Sequence, residues 1–194
     1  MSINRPLVSA RFQIQETPFS GLKCLLRKTM ADERGYLDRL FCAEELHALH
    51  SGKHIHQINR TFTAKCGTLR GLHFQYPPHA EVKFVHCLQG KVFDVAVDLR
   101  NNSPTFLKWH AEILGEDAAK TLVIPEGFAH GFQTMSKNCE MLYFHTAAYC
   151  PAAESGLNPQ DPKLSIAWPL PVSELSLRDQ ALPMLDSNFT GITL

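Results

Sequence analysis

The chain has 194 residues, and its 19 basic and 19 acidic side chains give a formal net charge of zero at pH 7. This balance excludes a whole-chain field that would attract nucleic acid or an anionic membrane, and no apolar run approaches the length of a membrane span. The length is typical of one domain, here residues 1–194, which buries a substantial core without cross-links.

The six cysteines are scattered and form no Cys-x-x-Cys pair. Residues 1–6 show no signal-peptide pattern. These two observations predict reduced thiols in a cytoplasmic protein.

The predicted elements are mostly short strands. Two strands, a turn and a short helix come first, and the helix ends near Gly52, which suits a left-handed residue. Strand then follows strand to about residue 146, with Gly90 as a tight connection, and the chain beyond residue 151 is rich in proline and irregular. The predicted strands are 12–15, 22–27, 82–89, 91–99, 107–114, 121–124, 128–135 and 140–146, the turns are 32–35 and 101–104, and the helices are 43–49 and 177–182. Many short strands separated by Gly, Pro and Asn favour an all-β jelly-roll barrel with a few short helices.

The segment Gly-Thr-Leu-Arg-Gly-Leu-His-Phe-Gln at residues 67–75 combines polar side chains with an apolar strand pattern. Strand alternation predicts that His73, Gln75 and Gly71 share one face, with the glycine leaving room beside the imidazole. A second such cluster, Pro-Glu-Gly-Phe-Ala-His-Gly-Phe, lies at residues 125–132. His73 is therefore a candidate base in a polar barrel interior, and a hydrogen-bonded core histidine is the alternative.

Other polar residues near these strands have both structural and functional interpretations. The Arg70 guanidinium suits phosphate oxygens, and a salt bridge with Asp94 or Glu81 is the alternative. Lys83 belongs either to the surface or to a binding site. Tyr143 is typical of a core aromatic residue, although its hydroxyl could donate a proton.

Asp179 ends a Ser-x-x-Asp sequence, which is the form of a helix capping box. The alternative is that Asp179 orients His73, which requires the C-terminal segment to fold back over the barrel mouth. Residues 67–90 and 125–130 also resemble the paired motifs of the cupin superfamily. Gln75 replaces the second histidine of the metal-binding motif, and Lys83 lies close to Glu81, so a catalytic metal is disfavoured.

A more specific resemblance runs from about residue 10 to residue 190. The matching segments are 32–35, Gln57-x-Asn59, 67–75, Lys83, 90–100, 103–106, 124–132, 142–143, 168–170 and 175–179. Together they resemble the dTDP-4-dehydrorhamnose 3,5-epimerase family. The resemblance implies a cupin jelly roll, a homodimer that exchanges N-terminal strands, no metal or other cofactor, and a nucleotide-linked 4-keto-6-deoxy sugar as substrate.

The resemblance also implies roles for individual residues. His73 would be the general base, Asp179 its orienting partner, Tyr143 the acid on the opposite ring face, and Lys83 the group that stabilises the enolate. Arg34 would reach the site across the dimer. The residues implied to hold the sugar and the diphosphate are Arg70, Gln57, Asn59, Arg34, Gln75, His130 and Tyr149.

Three local departures from the family pattern keep other functions open. Phe144 stands where a lysine is common, Ala148 precedes Tyr149 where two tyrosines are common, and residues 38–39 replace a usual glutamate. The alternatives are an epimerase that acts at C3 or C5 alone, or on another nucleotide sugar, and a sugar-nucleotide-binding cupin without catalysis. A metal-dependent cupin oxygenase or isomerase is a third hypothesis.

Overall fold

The computed structural model describes residues 11–194, apart from the side chain of Asp117. The prediction about a signal peptide at residues 1–6 falls outside this range. The elements are strands β1 to β14, a one-turn helix and two short 3-10 segments. The longest helix in this part of the chain has four residues, far too few to cross a bilayer.

The first large sheet has six strands that pair antiparallel. In spatial order they are β1 (Phe12–Glu16), β2 (Lys23–Arg27), β10 (Lys120–Ile124), β7 (Lys83–Gln89), β12 (Cys139–His145) and β5 (Gln57–Thr63). Strands that are distant in sequence become neighbours here, as expected for a jelly roll.

The second large sheet faces the first. Its spatial order is β13 (Glu154–Gly156), β6 (Thr68–Gln75), β11 (Phe128–Thr134), β8 (Lys91–Asp98) and β9 (Trp109–Gly115), and β14 (Glu174–Leu175) pairs parallel with β6. Gly90 joins β7 of the first sheet to β8 of the second, with φ of +77°, so the predicted tight connection is a corner between sheets.

The main core lies between the two sheets because alternate residues of each strand point inward. On β8, Val92 and Ala96 face this core, whereas Val95 and Val97 pack on the outer side of the sheet. Burial at about 25 cal/mol per Å² of apolar surface makes this two-sided packing the main source of stability. The predicted all-β jelly roll is confirmed.

Two irregular segments cover the outer faces of the sheets. Leu157, Leu164 and Leu185 of the C-terminal part pack on the second sheet. Phe41 and Leu46 pack on the first. The covers bury apolar side chains that would otherwise face water on both sides of the barrel.

The predicted helix at residues 43–49 was wrong in type. The segment forms turns that end in a 3-10 turn, His47–Leu49, and the residue before that turn, Leu46, provides no side-chain cap. A segment this short without a capping residue does not form a stable α-helix, and its position is set by burial of Leu46 instead. Gly52 does adopt the predicted left-handed conformation, with φ of +72°.

A hairpin of β3 (Met30–Asp32) and β4 (Gly35–Leu37) contains the predicted turn at residues 32–35. The second predicted helix is present but shorter, as α1 (Leu177–Gln180). The hairpin carries Arg34 and the helix carries Asp179, two of the predicted site residues.

Candidate active site

A cavity of about 640 Å³ opens between the two sheets. Ten of the eleven predicted site residues line it, namely Gln57, Asn59, Arg70, His73, Gln75, Lys83, His130, Tyr143, Tyr149 and Asp179. Arg34 does not line it, since its exposed guanidinium pairs with Asp32 on the β3–β4 hairpin.

His73 and Asp179 form a close pair on the second sheet's side of the cavity. His73 Nε2 lies 2.7 Å from Asp179 Oδ1, and the imidazole is about one-third exposed, at 32%, whereas the carboxylate is 6% exposed. Burial alone would raise the pKa of Asp179, but the hydrogen bonds from His73 and from the Gly71 amide lower it. The carboxylate is therefore charged at neutral pH and holds the His73 ring with Nδ1 as the remaining nitrogen.

The C-terminal segment reaches His73 because β14 adds to the edge of the second sheet. Leu175 pairs with Leu69 of β6, and Ser176 then caps α1 by accepting a hydrogen bond from the Asp179 amide at 3.0 Å. The Asp179 backbone thus takes part in the cap while its carboxylate contacts His73. Its contacts are those that both interpretations require, and the orienting role of Asp179 stays a prediction.

An irregularity in β6 brings Arg70 and His73 to the same cavity. His130 of β11 pairs with His73, and Phe132 pairs with Arg70, so two residues of β11 span three of β6. Strict alternation would place Arg70 and His73 on opposite faces, and the bulge reverses this.

The prediction that Gly71 leaves room beside His73 was wrong. A Cβ at Gly71 would lie 2.6 Å from the Cα of Gly131 and 2.7 Å from the carbonyl oxygen of His130. The glycine allows the backbones of β6 and β11 to approach each other, and its φ of +111° suits the bulge.

Tyr143 enters the cavity from β12 of the opposite sheet. Its side chain is buried, at 8% exposed, and its hydroxyl lies 3.3 Å from that of Thr61. Burial raises the pKa of the phenol strongly, so Tyr143 is protonated at neutral pH. A buried, protonated phenol across the cavity from His73 can serve as a proton donor.

Lys83 lies on the same sheet as Tyr143 and belongs to a buried cluster. Its ammonium lies 3.1 Å from Glu81 Oε1, and Glu81 Oε2 lies 2.8 Å from His145 Nδ1. Burial alone would raise the pKa of Glu81, but Lys83 and His145 lower it, so the carboxylate is ionised. His145 was missed from the sequence, although its even spacing from Tyr143 on one strand would have placed both side chains on the cavity face.

A second buried pair joins the cavity-lining His130 to Asp94 of the neighbouring strand β8. His130 Nε2 lies 3.0 Å from each carboxylate oxygen of Asp94, and both side chains are buried. Burial raises the pKa of Asp94, and the neighbouring His130 opposes this shift. Because Asp94 is engaged here and Glu81 with Lys83, neither of the predicted salt bridges of Arg70 is formed.

Arg70 instead has neutral partners. Its Nε donates to Thr63 Oγ1 at 3.0 Å, and its terminal nitrogen donates to the Phe62 carbonyl at 3.3 Å. Neither partner carries a negative charge that would compete with an anionic ligand for the guanidinium, which favours the phosphate-binding interpretation.

Four polar residues form the rim near the 148–150 turn. Gln57 Nε2 donates to Asn59 Oδ1 at 3.1 Å, and Gln57 Oε1 accepts from the Tyr149 amide at 2.9 Å. Gln75 is buried and is bonded to the backbone of His79, Ala148 and Cys150. These bonds support a role for Gln75 in holding the turn against β6, beside any contact with substrate.

Two further residues at the cavity mouth were missed from the sequence. Glu154 accepts a hydrogen bond from the Tyr149 hydroxyl at 2.7 Å and pairs closely with Arg178 of α1. Both line the cavity. Since Arg178 is next to Asp179, its position follows from the same fold-back of the C-terminal segment.

Phe144, one of the departures from the family pattern, faces away from the cavity. Its ring stacks on Phe41 at 5.8 Å and meets His86 edge-on at 5.1 Å. This departure therefore alters packing on the outside of the first sheet and leaves the cavity wall to its neighbours.

Within residues 11–194, no group of three or more His, Cys, Asp or Glu side chains is arranged to hold a metal ion. The cupin-motif residue Glu81 instead pairs with the Lys83 ammonium, which opposes binding of a cation at that carboxylate.

Comparison with known proteins identifies the family. The family model for dTDP-4-dehydrorhamnose 3,5-epimerase matches residues 16–187. The epimerase of that name from Salmonella typhimurium is 41% identical over 172 residues, which are 88% of this chain and 94% of that protein. A dTDP-4-dehydrorhamnose 3-epimerase from Streptomyces niveus is 36% identical over 164 residues, 84% of this chain and 79% of that protein.

Solved structures agree with the sequence comparison. A Bacillus anthracis dTDP-4-dehydrorhamnose 3,5-epimerase with TDP and pyrophosphate bound has a TM-score of 0.86 at 37% identity, covering 90% of this chain and 99% of that one. A Legionella pneumophila 3,5-epimerase in complex with dTDP-4-keto-L-rhamnose has a TM-score of 0.86 at 36% identity, covering 93% and 98%. These matches confirm the cupin-type jelly roll, and the chain belongs to the dTDP-4-dehydrorhamnose 3,5-epimerase family.

Proposed function

We propose that this protein is an epimerase of a dTDP-linked 4-keto-6-deoxyhexose and acts at C3 and C5. One observation carries the proposal: His73 and Tyr143 enter the same cavity from opposite sheets. Inversion at carbon requires a base on one ring face and a proton donor on the other, because a single group tends to return the original configuration.

The base is His73. A ketone at C4 makes the hydrogens on C3 and C5 acidic, since the carbanion delocalises onto oxygen. With Nε2 donating to Asp179, Nδ1 of the neutral ring takes the proton, and the carboxylate stabilises the imidazolium that forms.

The Lys83 ammonium stabilises the negative charge that develops on the C4 oxygen. A preorganised donor of this kind contributes roughly 10²–10³ in rate. Tyr143 then delivers its proton to the opposite face of the carbon, and solvent exchange restores both groups. The reaction involves no net oxidation or reduction, so it needs no nicotinamide.

The substrate's diphosphate is assigned to the Arg70 side of the cavity. Its guanidinium has neutral hydrogen-bond partners and a charge available for phosphate. Gln57, Asn59 and Tyr149 are assigned to the sugar and nucleotide. The TDP and dTDP-sugar complexes of the Bacillus and Legionella enzymes support a dTDP-linked substrate.

The active form is proposed to be a cytoplasmic homodimer in which Arg34 of each chain reaches the site of the other. The exposed Arg34 lies beside Tyr36 and Leu37, which are 76% and 57% exposed. Ile58 and Phe62 on β5 are also more than half exposed. Exposed apolar side chains of this size support an interface.

The test is incubation with the dTDP-4-keto-6-deoxy sugar in D₂O, followed by NMR. We expect deuterium at both C3 and C5 and conversion to the inverted sugar. Tight binding of the nucleotide sugar without deuterium incorporation would replace the proposal with a binding function.

A second candidate is epimerisation at C3 alone, favoured by the similarity to the Streptomyces niveus 3-epimerase. The same experiment separates the two activities, because a C3 epimerase leaves the C5 hydrogen unexchanged.

A further inference from the structure

His145 has no role in the proposed reaction, yet it lies on the cavity wall beside Lys83. In the register of the first sheet, His145 of β12 is opposite Gln57 on one side and Lys83 on the other. All three side chains line the cavity. The register therefore places the imidazole next to the ammonium that faces the C4 oxygen.

The two residues share one carboxylate. Glu81 Oε1 receives Lys83 at 3.1 Å, and Oε2 lies 2.8 Å from His145 Nδ1. The three side chains are only 8–12% exposed. A buried carboxylate needs a donor for each oxygen, so loss of either partner leaves an unsatisfied atom or moves the other partner.

This sharing limits how Lys83 binds to Glu81. An ammonium has three donors, and Lys83 contacts Oε1 while His145 occupies Oε2. The remaining donors of the ammonium are available to a ligand in the cavity. Without His145, the carboxylate would draw the ammonium between its two oxygens and away from the substrate.

The second imidazole nitrogen is also engaged. Asn59 Nδ2 lies 3.5 Å from His145 Nε2, and the same amide accepts a hydrogen bond from Gln57. Donation from Nδ1 to Glu81 leaves Nε2 as an acceptor for the Asn59 amide. His145 thus joins the sugar-binding rim to the Glu81–Lys83 pair.

We propose that His145 is a positioning residue, which acts through Glu81 to hold the Lys83 ammonium against the C4 oxygen of the substrate. The inference rests on the proposed function, since it assigns Lys83 to the enolate. Because Lys83 is assigned to the chemical step, loss of His145 should lower kcat more than it raises KM.

A double-mutant cycle on kcat tests the inference. His145→Ala should lower kcat by about ten- to a hundredfold and change KM by less than about threefold, since misplacing a catalytic group by about 1 Å can cost about a hundredfold. In a Lys83→Ala background, His145→Ala should cause no further loss. If the double variant instead loses kcat by the product of the two single-variant factors, His145 does not act through Lys83.

Two variants strengthen the cycle. His145→Asn retains a donor near the position of Nδ1 and should recover most of the lost kcat. Glu81→Gln removes the charged group that lies between His145 and Lys83. In the Lys83→Ala background this substitution should cause no further loss of kcat. Failure of both expectations would overturn the inference even if His145→Ala does not fold.

The matched control is His110→Ala. His110 also pairs with a glutamate, with Nε2 3.0 Å from Glu112 Oε1, and its side chain is 20% exposed. It lies on β9 outside the cavity lining. Its loss should leave kcat unchanged.

A crystal structure of His145→Ala separates this inference from the proposed function. The Lys83 Nζ atom should move by about 1 Å or more toward Glu81 Oε2, whether or not the dTDP sugar is the substrate. An unmoved Nζ would refute the positioning role. An inactive wild-type enzyme with a displaced Nζ in the variant would refute only the substrate assignment.

Discussion

His73 has one ring nitrogen bonded to a nearly buried carboxylate, which in the proposed mechanism leaves the other nitrogen to meet the substrate. Asp179 accepts from Nε2 at 2.7 Å and also from the Gly71 amide at 3.3 Å. Fixing the carboxylate at both oxygens fixes the ring, so the Nδ1 lone pair has a defined direction. In the proposed mechanism the same charge stabilises the imidazolium once a proton is taken.

Asp179→Asn tests whether the Asp179 carboxylate orients the His73 ring. The amide keeps the size of the side chain but removes the charge and no longer selects the tautomer. We expect kcat to fall by about 10²–10⁴, with substrate affinity largely retained, as measured by steady-state kinetics and calorimetry.

Ser176→Ala is the control for helix capping. It removes the hydrogen bond to the Asp179 amide and costs about 1 kcal/mol in the free energy of unfolding. If kcat falls equally in the two variants, Asp179 contributes to folding of the segment and not to the orientation of His73.

At the scale of elements, the bulge in β6 determines the site. Gly71 of β6 and Gly131 of β11 allow the two backbones to touch at the bulge, which larger side chains would prevent. A Cβ at Gly131 would lie 2.6 Å from the carbonyl oxygen of Arg70. Because this obstacle is backbone, it cannot be relieved by a rotamer change.

Gly131→Ala should therefore separate β11 from β6 and displace both Arg70 and His73. We expect a loss of about 1–3 kcal/mol in unfolding free energy, measured by denaturant titration, together with weaker dTDP binding and a lower kcat. Gly115→Ala is the control, since its Cβ would meet its nearest neighbour at 3.2 Å, at the end of β9. Equal effects of the two substitutions would contradict the role given to the bulge.

Much of the fold could be predicted because it follows from alternation and turn residues. Most strands of the two sheets and the turn before Gly35 appear close to their predicted places, whereas β5, β13 and β14 were not predicted as separate strands. The bulge could not be predicted, because it arises from contact between β6 and β11, which are about 60 residues apart in sequence. The helix at residues 43–49 failed for a related reason, since tertiary burial of Leu46 determines that segment.

The site was partly predictable for the same reasons. His73 and Gln75 follow from one strand, and the family resemblance supplied Tyr143, Lys83 and Asp179. Glu81 lies two residues before Lys83, so their closeness is visible in the sequence, whereas His145 joins Glu81 only through cross-strand register, which a single sequence does not contain.

At the scale of the whole molecule, the proposed dimer predicts that each site is built from two chains. Arg34→Ala and His73→Ala should each be strongly impaired. A mixed dimer of the two variants contains one site with both residues intact and one with neither. Random re-assembly makes about half of the dimers mixed, so mixing should restore about a quarter of the activity of an equal number of wild-type dimers. Activity that stays at the level of the separate variants would place Arg34 in its own chain's site or outside any site.

His86 links the stability of the whole fold to pH. It is fully buried, with Nδ1 2.8 Å from the Thr121 hydroxyl, and its Nε2 has no hydrogen-bond partner. Burial, and then the nearby Arg27, lower the pKa of His86 well below 6.5. The unfolded chain therefore binds a proton near pH 6.5 that the folded chain does not.

Proton linkage determines how the free energy of unfolding changes with pH. Stability from the neutral His86 is complete above about pH 6.5 and is lost as pH falls, by up to about 1.4 kcal/mol per pH unit. Denaturant titrations between about pH 5 and 7 should show this slope in the wild type and a smaller one in His86→Gln. Equal slopes would mean that His86 is not buried in its neutral form.

The base role of His73 is tested most directly by deuterium incorporation at C3 of the dTDP-4-keto sugar. The rate is measured for His73→Ala and for the wild type. Removal of the base should lower this rate by about 10²–10⁴ while dTDP still binds. Exchange within about tenfold of the wild-type rate would show that another group removes the proton and would contradict the mechanism.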